Sequence, residues 1–226
     1  MNTRDPQRGF TRLDLPTHDL PLVQLEGVAL FPGTLLPLHA WDEVTCRQLA
    51  SCLTGERLVL VHGGPLSALS SPGSDGPIAG LGRAVSDRQY PDGRVDVFLH
   101  GLARVHLRRV AVTALGLVAD VTPAPDLLPS DPRALADTLA RLTNVALLYG
   151  RRAPGEEADL LTSVLRSTAD PVLVSNRLAA AALDSDELKL SLLAERCPLV
   201  RCQRLIEHFA SALLDREDGL SADVLH

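Results

Sequence analysis

The sequence predicts an α+β protein in which a small closed β-barrel with one inserted helix precedes a bundle of α-helices. Short apolar segments joined by Gly- and Pro-containing turns fill residues 20–122, which is typical of a small barrel rather than a doubly wound sheet. Beyond residue 132 the apolar residues recur at helical spacing instead. The predicted parts are an amino-terminal tail (1–19), the barrel (20–122), a Pro-rich linker (123–132), the bundle (133–216) and a carboxy-terminal tail (217–226).

The barrel should open with an apolar strand at residues 22–25 and a return strand at 35–38. Pro32-Gly33 marks the turn before the return strand, because proline fixes φ and glycine accepts a positive φ. A helix should begin near Asp42, whose carboxylate can cap free amide groups. One buried face of this helix is predicted from the i, i+3, i+4, i+7 spacing of Cys46, Leu49, Ala50 and Leu53.

Further strands follow at residues 58–61 and 78–85, separated by a Gly-Ser-Pro stretch at 63–77 that predicts a mobile surface loop. Gly80 and Gly82 indicate a bulge or a close backbone approach. Asp92-Gly93 predicts a tight hairpin. Residues 110–121 are predicted as a closing strand interrupted by Gly116.

The helical part should begin at Asp131-Pro132, an N-cap followed by a first-turn proline. Its first helix carries a stripe of Leu135, Leu139, Leu142, Ala146 and Tyr149. Further helices are predicted at 158–167, at 171–183, after a cap at Asp184 or Ser185, and from Pro198 onward.

Charge, cysteine spacing and the lack of long apolar stretches argue against several classes of function. The formal charge of −6 argues against general binding to a phosphate backbone, so nucleic acid is an unfavoured partner. The four cysteines lack the two-residue gap of zinc or redox motifs, which predicts reduced, buried thiols. The amino terminus lacks the apolar run of a secretion signal, and no apolar stretch is long enough to span a membrane. We therefore predict a cytoplasmic protein without a membrane partner.

No catalytic residue, metal ligand or cofactor is predicted. His39, His62, His100 and His106 lie in the barrel region, but no His-x-His or His-x-x-x-His pair occurs among them. The sequence contains neither a G-x-x-x-x-G-K-[ST] phosphate loop nor a G-x-S-x-G nucleophile motif. Lys189, the sole lysine, lies on a charged helical face. A hydrolase that uses His39, His100 and a nearby acid stays open as an alternative.

Several motifs, in order, resemble the amino-terminal domain of Lon proteases: LPLVQL, LFPG, LPLH, IAGLGRAV, PDGRVDVFLHGLARV and DPVLVSNRLAAAALDSDELKLSLL. The residues that match the barrel pattern are Phe31, Pro32, Gly33, Pro37, Leu38, His39, Gly82, Pro91, Asp92, Gly93, Gly101 and Arg104. In the helical part they are Asp170, Pro171, Asn176, Leu178, Ala179, Lys189, Leu193 and Arg201. Ala79 departs from the pattern by replacing its first glycine, with Gly80 one residue later, and Cys197 stands where an acidic residue is expected.

The resemblance implies a barrel of the pseudouridine-synthase-associated (PUA) type and a substrate-recognition role without catalysis. The implied partners are peptides, unfolded or degron-bearing proteins, and a Lon-type protease. Lon proteases continue into an ATPase and a serine-lysine peptidase, whose motifs we do not find in these 226 residues. The candidate partner-binding residues are Phe31, Leu35, Leu36 and Trp41, which are large, apolar and close to a turn. RNA binding through the PUA-like barrel is a further alternative, suggested only by the barrel type.

Overall fold

The computed structural model describes residues 16–66, 75–153, 155–181 and 183–223. The chain divides into two units, with the boundary between Pro125 and Asp126. The first unit contains β1 (Leu20–Gln24), β2 (Leu35–Ala40), α1 (Glu43–Thr54), β3 (Leu58–His62), β4 (Ile78–Gln89), β5 (Val95–Thr113) and β6 (Gly116–Pro123). The second contains α2 (Pro132–Gly150), α3 (Gly155–Ser167), α4 (Pro171–Ala181), α5 (Asp186–Ala194) and α6 (Pro198–Asp223). The predicted α+β class is therefore confirmed.

The strand pairing of the first unit closes on itself. The order is β2-β5-β4-β3-β1-β6, and β5 also pairs with β6. The β1–β3 pair is parallel, whereas β1–β6, β3–β4, β4–β5 and β5–β6 are antiparallel. Five strands therefore form a ring, and β2 joins it through the first half of β5.

Helix α1 follows β2 and packs its buried face against the strands. Asp42 is its N-cap, because its carboxylate accepts a hydrogen bond from Thr45 N at 2.8 Å. Cys46 and Leu49 are buried as the spacing predicts, and they join a core cluster with side chains of β3 and β5. Gln48 is also buried, and its amide donates to Leu22 O at 2.7 Å, so the helix is tied to β1 by a polar contact as well.

Two glycines allow the segment before β2, at Leu30 and Phe31, to pack closely against the sheet. A Cβ atom at Gly80 would lie 2.1 Å from Leu30 O, and one at Gly101 would lie 2.0 Å from Phe31 O. The adjoining turn has Pro32 and then Gly33 at φ 77°, the arrangement of a type II turn. Gly33 N donates to Gly101 O, and Gly101 N donates to Thr34 O, both at 2.9 Å. These contacts set the register in which β2 meets β5.

The two sequence signals in β4 and its hairpin are confirmed. The pairing of β4 with β5 shifts register between Leu81 and Gly82, where a bulge was expected. A Cβ atom at Gly82 would lie 2.5 Å from Leu30 Cδ2, so this glycine also faces the segment before β2. Gly93 has φ 91°, and its N–H donates to Tyr90 O at 3.0 Å within the hairpin turn. The departure at Ala79 therefore leaves the bulge in place.

The helical unit encloses a charged side chain. Arg201 of α6 has no exposed surface, and its Nη1 donates to Asp126 at 2.6 Å and to Glu195 O at 2.9 Å. A buried ion pair is costly to break, because the remaining charge is left without compensation. Asp126 lies within the segment that the sequence predicts as a linker, so this pair fixes the start of the helical unit to α6.

Three sequence predictions change with the structure. Gly116, at φ 121°, ends the turn between β5 and β6 rather than interrupting one strand. Helix α6 continues to Asp223, beyond the predicted start of a tail at residue 217. Helix α3 begins at Gly155, three residues before the predicted start.

Residues 1–15 of the predicted tail and 67–74 of the predicted mobile loop lie outside the described residues. Among the described helices, none has the length and hydropathy of a membrane span.

Replacing Gly101 by alanine should destabilise the first unit by about 2–3 kcal/mol, because the new Cβ atom meets a backbone oxygen that cannot rotate away. The matched control is Gly93→Ala, where no atom lies within 4 Å of the added Cβ and only the positive φ is unfavourable, at about 1 kcal/mol. Urea unfolding followed by circular dichroism measures both. Equal losses for the two variants would contradict the close approach.

Candidate functional site

An apolar strip lies on the outer face of β2 and β5. Leu35, Pro37 and His39 alternate outward along β2, while Leu36, Leu38 and Ala40 alternate inward. The register places Pro37 opposite Phe98. Leu35 is 62% exposed and Phe98 48% exposed, so two large apolar side chains face solvent on neighbouring strands.

Trp41 continues this strip beyond the end of β2. Its side chain is 75% exposed, and its ring contacts the ring of His39 at 5.9 Å between centroids, edge to face. We refer to Leu35, Pro37, Phe98 and Trp41 together as the β2 face. The polar pair of His39 and Asp96 lies between Pro37 and Trp41 on this face.

Two of the four predicted partner-binding residues are not on this face. Phe31 is fully buried, with the Arg104 guanidinium 5.8 Å from its ring centroid, because the close approach at Gly101 turns it into the core. Leu36 faces inward and packs against the core cluster that includes Val97. Phe31 is therefore corrected to a core residue and Leu36 to a partly buried one, whereas Leu35 and Trp41 are exposed.

Hydrogen bonds that link β2, β5 and the residue after β4 hold His39 beside Trp41. The Asp96 carboxylate of β5 is hydrogen-bonded to His39 Nδ1 through one oxygen and accepts from the Tyr90 hydroxyl at 2.6 Å through the other. The Tyr90 hydrogen bond, followed by that of His39, holds the pKa of Asp96 below its usual value. Asp96 is thus an ionised bridge that orients the His39 ring against the indole.

A cleft of about 380 Å³ lies next to Trp41, between the start of α1 and the β4–β5 hairpin. Glu43 and Arg47 form an ion pair on its α1 side. On its hairpin side, the Asp92 carboxylate is paired with Arg94 at 2.8 Å, and the Arg88 and Arg94 guanidinium groups lie 4.8 Å and 5.2 Å from the centroid of the Tyr90 ring that lines the cleft. The charged groups of this cleft are therefore largely paired with one another.

Two further residues of the family pattern, Arg104 and Asp92, make structural contacts. Arg104 is buried beneath Phe31, and its carbonyl oxygen accepts a hydrogen bond from Ala124 N at 3.0 Å. The Asp92 carboxylate accepts from Arg94 N at 3.2 Å and from Arg94 Nε at 2.8 Å, which closes the hairpin turn. The Arg94 N–H bond is the main reason that the pKa of Asp92 is lowered.

The histidines do not converge on one site. His39 is opposite Asp96, whereas His100 is opposite Leu35, so four residues of β5, about 13 Å of strand, separate them. His62 Nδ1 donates to Ile78 O at 3.1 Å, and burial lowers the pKa of His62. Within the described residues, no three His, Cys, Asp or Glu side chains form a group that could hold a metal ion. A hydrolase built on His39 and His100 lacks the hydrogen-bond reach that catalytic partners need.

The helical unit has a smaller apolar cleft of about 290 Å³. It lies between the segment at Leu128 and Pro129 and the starts of α2 and α4, where Leu135 and Pro171 line it. Its walls are aliphatic, and they place no titratable group in the cleft.

The fold matches solved structures, among them two Lon N-terminal domains. The chain aligns with the N-terminal domain of a Mycobacterium avium complex Lon protease at a TM-score of 0.68 and 15% identity, covering 85% of this chain and 98% of that one. It aligns with a Lon N-terminal domain protein from Xanthomonas campestris at a TM-score of 0.51 and 24% identity, covering 84% and 97%. At these identities the matches establish the fold. No curated protein matches the sequence.

The family is established by sequence. The model of the ATP-dependent protease La (Lon) substrate-binding domain matches residues 19–211. The chain therefore belongs to the family of Lon substrate-binding domains, as the motifs around Pro32, Gly33 and Asp92 predict.

Substitution of Tyr90 by phenylalanine should raise the pKa of Asp96 toward its ordinary value, because the hydroxyl that stabilises the ionised carboxylate is removed. Carbon-detected NMR titration of the carboxyl group measures this shift. The matched control is Tyr149→Phe, which removes a hydroxyl bound to Glu157 in the other unit. An unchanged Asp96 titration in the Tyr90 variant would refute the bridge.

The buried cysteines should resist alkylation in the native protein. Burial raises the pKa of both Cys52 and Cys202 to about 11, so at pH 8 only about one thiol in a thousand is ionised. Cys197 is partly exposed and should react first with iodoacetamide. Peptide mapping by mass spectrometry reads out each site. Alkylation of Cys52 or Cys202 as fast as Cys197 would show that the thiols are accessible.

Proposed function

We propose that this chain is a non-catalytic recognition module that binds unfolded or degron-bearing proteins through the β2 face. The observation that carries the proposal is the exposure of Leu35, Phe98 and Trp41 on one face of a Lon-type substrate-binding domain. Large apolar side chains grouped on a protein surface usually mark a partner site.

The chemistry of the β2 face suits a polypeptide better than a small molecule. The strip is open and follows a strand, and the neighbouring cleft has its charged groups paired. A tryptophan at the end of such a strip is the residue type most often found to dominate binding energy. The His39–Asp96–Tyr90 hydrogen bonds would limit the freedom that the Trp41 indole loses on binding.

The family supports a wider role that we also propose. We infer that the module associates with a Lon-type protease and presents bound chains to it, acting as an adaptor without breaking bonds itself. We place it in the cytoplasm, for which the four free cysteines are the support, since reduced thiols suit a reducing compartment. We assign the strand ring to the PUA type and the helical unit to a bundle, in keeping with the family.

Replacing Leu35 by serine should weaken the binding of an unfolded protein about tenfold. The exposed Leu35 side chain would become buried against the bound protein, and serine replaces that apolar contact with a polar group. Reduced and carboxymethylated α-lactalbumin is the unfolded probe, and fluorescence anisotropy of the labelled probe measures its affinity for the full chain.

Two controls accompany this measurement. Val112→Ser removes a side chain that is 82% exposed near the end of β5, outside the β2 face, and should leave affinity unchanged. Native α-lactalbumin should bind far more weakly than the unfolded form. Equal losses in both variants, or equal binding of both probes, would contradict the proposed function.

A further inference from the structure

Strand β2 stands at the end of the strand order and has β5 as its hydrogen-bonded neighbour. Gly101 N donates to Thr34 O, which makes Thr34 and Gly101 a hydrogen-bonded pair in this antiparallel ladder. Hydrogen-bonded and non-hydrogen-bonded pairs alternate. The backbone groups of Leu35, Pro37 and His39 therefore point away from β5, toward the outer edge of β2.

This outer edge presents a defined set of hydrogen-bonding groups. Leu35 and His39 each offer an N–H and a carbonyl oxygen, while Pro37 offers only its oxygen. Among the backbone contacts between described residues, none uses these outward groups. An extended chain that lay along the edge would have its own N–H groups accepted by three carbonyl oxygens in alternate positions.

Pro37 makes a second copy of β2 a poor occupant. In a two-fold antiparallel pairing with Pro37 opposite itself, both strands would lack the central donor. A foreign strand loses only one bond at that position, because its own N–H still reaches Pro37 O. The edge is thus better matched to another polypeptide than to itself.

The side chains around the edge select the occupant. A strand added to β2 places alternate residues beside Leu35 and Pro37, with Phe98 on the adjoining strand, so apolar residues fit there. The residues between these positions of the added strand would have their side chains on the inward face of β2, where Leu36 is partly buried. The next two alternate positions on the outer side are beside His39 and then beside Trp41.

The Trp41 end of the edge favours a positive charge. The indole is largely exposed, and an indole face attracts Lys and Arg side chains. Asp42 follows it, and a hydrogen bond from Thr45 N keeps the pKa of Asp42 low, so the carboxylate is ionised. Within the described residues, Glu43 is paired with Arg47 and Asp92 with Arg94, whereas Asp42 forms no ion pair. The net charge of −6 draws cationic chains toward the protein.

We propose that β2 receives an extended segment of a client polypeptide as an added strand, with apolar residues beside Leu35 and Pro37 and a Lys or Arg beside Trp41. This inference rests on the proposed function and specifies its ligand and its geometry. Main-chain hydrogen bonds to Leu35, Pro37 and His39 would supply affinity that is independent of sequence, while the apolar and basic positions would supply selectivity.

Backbone methylation tests the added strand directly. The probe is a labelled heptapeptide with leucine at two alternate positions, threonine between them, and arginine at either end in two versions. One set of derivatives is N-methylated at the leucines and the other at the intervening threonines. In the version with amino-terminal arginine, which reaches Trp41 only when the peptide runs antiparallel to β2, leucine methylation should weaken binding to the full chain about tenfold. The leucine N–H groups face β2 in that direction, whereas the threonine N–H groups face away, so threonine methylation should change binding little.

The outcomes separate the inference from the proposed function. Equal effects of the two methylation patterns, with the unmodified peptide still bound and Leu35→Ser still weakening it, would overturn the added strand alone. No binding of any peptide, together with no binding of unfolded α-lactalbumin, would overturn both. Dimerisation of the chain in sedimentation velocity, abolished by Leu35→Ser and unaffected by peptide, would instead make a second copy the occupant and overturn the inference.

The basic position has its own test. Replacing the peptide arginine by norleucine should weaken binding about threefold in the unaltered protein and have little effect in the Trp41→Leu variant, which keeps an apolar side chain but lacks the aromatic face. A norleucine effect of the same size in both proteins would contradict a contact between the basic residue and Trp41.

Discussion

The close contact between the Leu30–Phe31 backbone and the glycines of β4 and β5 is the constraint on which the first unit depends. Because Gly80 and Gly101 have no side chains, the backbone of Leu30 and Phe31 lies directly against the sheet, and the Phe31 side chain is buried in the core. The turn at Pro32 and Gly33 then reverses the chain, so that β2 pairs with the first half of β5. The alternation of β2 starts from that point, so the same contact sets which of its side chains face solvent.

Much of the fold could be predicted from the sequence because the signals are local. Asp42, Pro32-Gly33 and Asp92-Gly93 each specify a cap or a turn through their own backbone preferences, and the structure contains all three. Gly116 was misplaced within a strand, since a lone glycine indicates a break without saying on which side the chain reverses. The role of Arg201 as the buried partner of Asp126 depends on residues 75 positions apart, which no local pattern shows.

The candidate site could be predicted only in part, for a related reason. Leu35 and Trp41 were found as large apolar residues near a turn, but the same rule selected Phe31, whose burial depends on distant glycines. Phe98 was missed, although the inward alternation of Val95, Val97 and Leu99 places the intervening residues outward. The alternation of inward and outward residues, applied to both β2 and β5, therefore predicts the exposed apolar residues better than hydrophobicity alone. The link from Tyr90 through Asp96 to His39 required the register between three strands.

Trp41 is the only tryptophan in the chain, and it lies at the surface beside the His39 imidazole. The two tyrosines are Tyr90, which lines the same cleft, and Tyr149 in the other unit. Excitation at the red edge of the absorption band therefore addresses one indole at one location. The molecule carries a native spectroscopic reporter whose emission wavelength depends on whether water or a bound chain surrounds that ring.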